Sequence, residues 1–499
     1  VSGAEKKDPA MTTLSPTAAS DTNNIGTLDP NRWAALAVLL TGAFLAPLDF
    51  FIVNVALPSI TAGLDARPAD VQLVISGYAV VFAAFLITGG RLGDLFGRKS
   101  IFLIGLAGFA LASGFCGLAW SPLTLILARL LQALTAAAMA PQALASIHAL
   151  FPANERGRAL GLYGVTIGLA SVVGQLLGGV LVSADIDGLG WRLIFLINLP
   201  IVVVTFIAGM VLLRETHGAN RTRLDLGGIV LSSAALASFV VPLVEGRQRG
   251  WPWWSIAMLL TTPIFVDLFR RYESRLAGNG GDPLVAFAVF RSPGLLRGLG
   301  AIMALYAIAT FFLVYSIYLQ TALGCTALQA GLAILPFSVG FLTGSTASPF
   351  VGRWMGQAAP SLGFVLSAAG AIAMSVVTTQ FPSGAIPPLP LMVPALLSIG
   401  LGVGMSIPTM VRVIVERVEP GRAGLVGGMV NSTLQVSSAV GIAVLGGLFY
   451  NVLGARTDPA AVTHAFAITL GAIAACHIGG AFLAAGLGQL RPVCRRCLA

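Results

Sequence analysis

The chain has 499 residues, 56% of them hydrophobic and only 10% charged. A soluble domain carries about 25% charged residues, so a water-soluble fold of this size is excluded. The net charge of +9 does not point to nucleic acid, because the cations are scattered through short polar connectors and form no basic face or tail.

Residues 1–32 are polar, rich in Pro, Ser, Thr and Asn, and are expected to form a disordered cytoplasmic tail without a signal peptide. Apolar runs of about 20 residues then recur along the chain, the pattern of membrane-spanning helices. They predict spans at 33–58, 71–90, 100–119, 122–146, 159–183, 191–213, 225–244, 252–269, 296–320, 327–350, 360–379, 388–411, 423–450 and 464–489. The fold class is therefore an all-α polytopic membrane protein of fourteen helices. An even number puts both termini on one side, with a second short tail at 490–499.

Lys and Arg concentrate in cytoplasmic loops. If the polar stretch Gly90–Ser100 is cytoplasmic, 23 of the 29 Lys and Arg residues fall on that side. Five (Arg67, Arg192, Arg247, Arg249 and Arg456) fall outside, and Arg129 lies within a span. Both termini are thus expected inside the cell, in a plasma or inner membrane.

An internal repeat organises the spans. Glu155-Arg-Gly-Arg-Ala159 has the spacing of Glu419-Pro-Gly-Arg-Ala423, and Gly90-Arg91 is echoed by Gly352-Arg353, at offsets of 264 and 262. The chain reads as a six-helix half (33–213), two inserted helices (225–269) and a second six-helix half (296–489). Parallel repeats of this kind build one large class of secondary transporters, with the substrate site between the halves.

Two ionisable groups lie deep in the spans, Asp49 and Arg129. Each costs about 2.5–3.5 kcal/mol on insertion scales, so a pair, or a shared wet cavity, is expected to offset the cost. Asp49 is the candidate proton-binding carboxylate, with Arg129 tuning it; the structural alternative is a fixed ion pair. Gln132 and Ala136 follow Arg129 at i+3 and i+7, so this stripe is expected to face the cavity. A second polar stripe comprises Asn431, Gln435 and Ser438. Tyr306, Phe311, Phe312, Tyr315 and Tyr318 form a candidate aromatic wall for a planar ligand.

Soluble-enzyme motifs fail on context. Arg98 separates Gly97 from Lys99, so the Gly97-Arg-Lys-Ser100 run is no phosphate loop, and the four histidines make no metal-ligand pair at helical spacing. Cys494 and Cys497 form a lone C-x-x-C in the terminal tail, without a second ligand pair. No enzyme activity, cofactor or metal is expected.

The motifs resemble those of the major facilitator superfamily, and within it the 14-helix drug:proton antiporter family. Gly90, Leu92, Asp94, Gly97, Arg98 and Lys99 fit the loop signature G-x-L-x-D-x-x-G-R-K/R, with Gly93 inside it. Leu48-Asp49-Phe-Phe-Ile-Val-Asn54-Val-Ala-Leu-Pro58 is similar to L-D-x-T-I-V-N-V-A-L-P, with Phe51 in the threonine place. Arg129-x-x-Gln132 resembles R-x-x-Q-G, with Ala133 for the glycine. Gly161, Gly174, Gly178 and Gly179 fit the antiporter motif of the fifth helix, but Ala170 replaces a glycine and Gln175 the proline.

The resemblance implies proton coupling at Asp49 and Arg129, and a conformational latch formed by the loop. Asp94 is expected near Arg422, at the start of the thirteenth helix. Asn54, Gln132, Tyr315, Asn431 and Gln435 are the candidates for substrate contact. The second half carries no acid deep in its spans, which implies a neutral lipophile or monocation as substrate. The expected activity is proton-driven efflux of small antibiotics, dyes or antiseptics by a monomer in the bilayer. The alternatives are a dedicated exporter of one natural product or, from another class, a non-transporting sensor.

Overall fold

The computed structural model describes residues 30–217, 225–281, 283–285, 287, 294–381, 387–415 and 423–488. Residues 1–29, Arg422, the tail 490–499 with its two cysteines, and the side chain of Asn431 lie outside what is described. The described chain is helical throughout. Its first six helices are α1 (Arg32–Leu64), α2 (Pro68–Phe96), α3 (Arg98–Gly117), α4 (Pro122–Leu150), α5 (Ala153–Ala184) and α6 (Gly190–Leu212). Then come α7 (Leu226–Gln248) and α8 (Trp253–Gly278). The last six are α9 (Leu295–Ala322), α10 (Ala327–Ala333 continued by Leu335–Met355), α11 (Ala359–Gln380), α12 (Leu389–Val415), α13 (Ala423–Gly441 continued to Leu453) and α14 (Pro459–Gly488).

Helices are what an apolar run must form in lipid, where no water can satisfy a free backbone N–H or C=O. Among the described residues, 12 stretches are long and apolar enough to cross a membrane. One of them, Ala327–Gln380, is two helices turned at Gly356. α8 falls outside the twelve, because Asp267, Arg270 and Arg271 interrupt its apolar run.

Several helices outrun the predicted spans. Pro58 was the expected stop of the first, yet α1 continues through it to Leu64 and turns at left-handed Asp65. α5 starts at Ala153, six residues before its span. The polar stretch at Gly90–Ser100 is no open loop: α2 runs to Phe96, α3 starts at Arg98, and the turn between them is Gly97 alone. Its φ of 99° is one that side chains rarely adopt, so glycine is required there.

Packing repeats at an offset of eight helices. α2 and α3 pack on α4, and α1 on α5; correspondingly α10 and α11 pack on α12, and α9 on α13. α7 and α8 pack on each other, and α7 also leans on α2.

The first and last six helices meet at the end where α1 terminates. Gln320 Nε2 donates to the Val55 carbonyl at 2.9 Å, and the Leu328 amide donates to Ser183 Oγ at 3.1 Å. A Cβ on Gly179 would sit 2.6 Å from the Ala327 carbonyl oxygen, and one on Gly331 2.6 Å from that of Gln175. Helix backbones therefore touch directly at this seam, which only small residues permit. One apolar cluster at this end joins residues of both sets, including Ile52, Val71, Phe312 and Phe337. Toward the Arg32 end, residues such as Ala35, Phe102 and Met139 form a separate cluster drawn from the first six helices only.

Candidate functional site

Asp49 and Arg129 are both fully buried and form an ion pair, Arg129 Nη1 donating to Asp49 Oδ2. The other carboxylate oxygen, Oδ1, accepts from Gln132 Nε2 at 2.8 Å and from Asn198 Nδ2 at 3.3 Å. Gln132 Oε1 accepts from Arg129 Nη1 at 2.6 Å, while its amide nitrogen also reaches Ser113 Oγ at 2.8 Å. Arg129 Nε donates to the Val74 carbonyl at 3.3 Å, and the guanidinium lies over the Tyr78 ring, 4.2 Å from its centroid. Five helices (α1, α2, α3, α4 and α6) thus contribute to one network around the ion pair.

The physical logic is mutual compensation. An isolated ion in hydrocarbon is too costly to insert, but here the carboxylate has three donors and the guanidinium an anion, two acceptors and an aromatic face. Among the residues of this site, three buried polar atoms have no partner: Arg129 Nη2, Asn198 Oδ1 and the Tyr78 hydroxyl.

The arrangement corrects one expectation and extends another. Gln132 is fully buried and bonded to the ion pair, and Ala136 is buried in the apolar cluster of the first six helices, so the stripe is packed within that set and does not face a cavity between the two sets. Sequence spacing located the Asp49, Arg129 and Gln132 triad but missed Asn198, Ser113 and Tyr78. A lone amide at position 198 within an apolar span was the available signal.

The glycines of α5 bind this site to the seam. A Cβ on Gly174 would lie 2.8 Å from the Leu48 carbonyl oxygen, and one on Gly178 2.8 Å from that of Ile52. α5 therefore presses on α1 on either side of Asp49, while Gly179 presses on α10. Gln175 is buried, and its backbone faces Gly331. Gly161 has nothing near its Cβ position and faces open space.

The remaining substrate candidates occupy the seam. Asn54 is buried and folds its amide back onto the Phe50 carbonyl at 2.8 Å. Tyr315 is buried, stacks on Phe311 at 5.0 Å and approaches the Ala333 carbonyl at 3.4 Å. The proposed aromatic wall is packed core in this state: Phe312 meets Phe51 at 5.0 Å and Phe337 at 5.1 Å, and Tyr318 stacks on Phe466 at 4.5 Å. A narrow recess remains between Val55, Gln175, Phe312, Tyr315 and Ala330. Gln435 is half-buried on α13.

At the opposite end, the turn at Gly97 is clasped by the segment after α6. Glu215 accepts from the amides of Lys99 at 2.9 Å and Ser100 at 3.1 Å, capping α3. Lys99 Nζ donates to the Met210 carbonyl at 2.7 Å. Arg98 pairs with Asp94 at 2.9 Å and donates to the Ala145 carbonyl at 3.0 Å. Arg91 donates to the Pro283 carbonyl beyond α8. Gly93 faces Gln142, and Gly90 lies 3.7 Å from Pro141 through its Cβ position. Nearby, Arg32 forks onto Glu155 at 2.9 and 3.0 Å, and this hydrogen-bonded cation holds the Glu155 carboxyl below its ordinary range.

The family model described as Major Facilitator Superfamily matches residues 39–442. The chain is 35% identical over 427 residues to a probable actinorhodin transporter of Streptomyces coelicolor, covering 85% of this chain and 74% of the relative. It is also 35% identical over 426 residues to the puromycin resistance protein pur8 of Streptomyces alboniger, covering 84% and 82%. A solved bacterial homolog of the human lysosomal transporter Spinster, inward-facing and unoccupied, superposes with a TM-score of 0.66 at 17% identity, over 92% of this chain and 96% of that one. At that identity the likeness concerns the fold alone.

Proposed function

The chain belongs to the Major Facilitator Superfamily, and on that premise we propose that it is a proton-coupled exporter of small lipophilic or monocationic compounds, antibiotics among them. It is a multi-pass membrane transporter, not an enzyme. All fourteen helices cross the bilayer, α7 and α8 being inserted between two six-helix halves, and both termini are cytoplasmic. The sealed seam is then the outer side, and the conformation is one closed to the exterior. The Gly97 turn with Asp94, Arg98 and Lys99 is the cytoplasmic latch. The protein works as a monomer.

One observation carries the reading: the carboxylate of a fully buried carboxylate–guanidinium pair sits on α1, the helix on which α5 presses, and α5 in turn touches α10 of the last six helices. Protonating Asp49 removes one charge of the pair and so changes the packing cost of α1 in each conformation, which is what coupling to an alternating-access cycle requires. The electrical gradient adds about 2.3 kcal/mol per charge per 100 mV. Among the described residues of the last six helices and their connections the only acid is Asp458, just before α14, which fits a substrate with at most one positive charge.

A second reading is favoured by the two relatives above, each named for one compound: the protein exports a single natural product. A substrate panel in proteoliposomes with an imposed pH gradient tests both. Accumulation of monocations and neutral lipophiles that stops when the gradient is collapsed supports the proposal. Transport indifferent to the gradient, or a dication as the best substrate, overturns it; a panel with one responder selects the second reading.

A further inference from the structure

Asn198 is joined to Asp49 in a way that the ion pair by itself does not explain. Its side chain is 1% exposed, and its Nδ2 spans two acceptors at long range, Asp49 Oδ1 at 3.3 Å and Ser113 Oγ at 3.4 Å. Its Oδ1 has no partner, although the atom is buried. A buried amide with an empty acceptor is costly to keep, and apolar residues fill most of this span. The empty acceptor lies one amide rotation away from the carboxylate.

A carboxylate only accepts hydrogen bonds, whereas a carboxylic acid also donates one. Beside the carboxylate the amide must present its N–H, as it does here. Beside the acid, the favourable arrangement is the reverse, with the acid O–H donating to the amide oxygen. A half-turn about the last side-chain torsion of Asn198 exchanges the two, and the two orientations occupy nearly the same volume.

Building on the proton coupling proposed above, we infer that Asn198 is the positioning residue for proton exchange at Asp49: its amide donates to the carboxylate and turns to accept from the acid. The balance is simple. A hydronium ion gives its proton to Asp49 Oδ1 and becomes water; the hydrogen bond from Asn198 N–H to that oxygen is exchanged for a hydrogen bond from the new O–H to Asn198 Oδ1. The reverse step returns the proton. Ser113, whose hydroxyl can donate or accept, turns with the amide. Ser113 and Asn198 stand on α3 and α6, the two helices that Glu215 clasps at their cytoplasmic ends.

The test uses the full chain in lipid, with infrared difference spectra on protonation and pH-driven transport as paired readouts. The carbonyl band of the protonated carboxyl is assigned to Asp49 by its loss in Asp49→Asn. In Asn198→Leu that band moves to higher frequency, because the acid O–H has lost its acceptor, and pH-driven transport falls roughly tenfold to a hundredfold. Asn198→Ser, whose hydroxyl both donates and accepts, restores band position and most of the transport. If Asn198→Leu is not recovered folded, Asn198→Ala makes the same deletion with less bulk. A band at the same frequency in wild type and Asn198→Leu overturns the role of Asn198 alone. If no band is lost in Asp49→Asn, Asp49 does not titrate, and the proton-coupling reading fails with it.

Discussion

Replacing Asp49 by Asn keeps the size of the side chain and removes its charge, and the geometry sets the consequence. Among the described residues Asp49 is the only anion paired with Arg129, and both are fully buried. Two unit charges 4 Å apart interact by about 4 kcal/mol at an effective dielectric of about 20. Leaving one buried partner unpaired costs ~3–5 kcal/mol. The amide retains one oxygen for Gln132 or Asn198, but its nitrogen must face another donor, so the retained hydrogen bonds recover little. Asp49→Asn is therefore expected to lose ~3–5 kcal/mol, to lower the Tm by the order of 10 °C, and to abolish pH-driven transport. Adding Arg129→Met, which removes the orphaned cation, should return most of the stability and none of the transport. Thermal unfolding of these two variants, wild type and Arg129→Met alone in the same detergent closes the double-mutant cycle. If Asp49→Asn lies within ~0.5 kcal/mol of wild type, the pair is not charged in this conformation, and the electrostatic account of the site is wrong.

Other perturbations address the seam, the latch and the insert. Gly331→Val drives a side chain into the Gln175 carbonyl, at a cost of ~1–3 kcal/mol to the closed outer side. A cysteine introduced at Ser183 should then label faster from outside, and an unchanged rate in folded protein would count against a seal at this place. Glu215→Ala removes the cap on the Lys99 and Ser100 amides and should cost ~0.5–1 kcal/mol of thermal stability, low in the capping range because Glu215 is exposed. Glu273 lies on α8 beyond the predicted span 252–269, and its carboxyl accepts from the Val285 amide at 3.1 Å. There burial, reinforced by the hydrogen-bonded neighbour Asp225, pushes the Glu273 carboxyl up to about 8. The folded state thus holds a proton that the unfolded chain releases in the ordinary carboxylate range. Stability is full below that range and is lost as pH rises through about 8. Melting should fall between about pH 6 and about pH 9 in wild type, and Glu273→Gln should remove the slope. A slope that survives the substitution assigns it elsewhere.

How much of this was legible beforehand differs from element to element. The apolar runs located the helices well, because each run must satisfy its own backbone in lipid and needs no partner to do so. The limits of α1 and of the Gly90–Ser100 stretch were misjudged because they depend on neighbouring helices. Proline and polar residues end a helix readily in water, but α1 passes Pro58 and α2 passes Gly90 because neighbouring helices hold them. The packing of Gly178 on Ile52 and of Gly331 on Gln175 was out of reach. A contact between two helices depends on the rotation of both, and neither sequence periodicity records the other's.

The sequence by itself determined that the chain is a helical membrane protein and that Asp49 and Arg129 require each other. These follow from transfer costs, which act on each residue or span separately. Only the tertiary structure decided that Asn198, Ser113 and Tyr78 complete the site, that Gln132 faces inward, and that the aromatic residues of α9 are core in this state. Those are properties of helix rotation and of close backbone contact. They are set by the packing of five or more helices at once, and no single span carries that information.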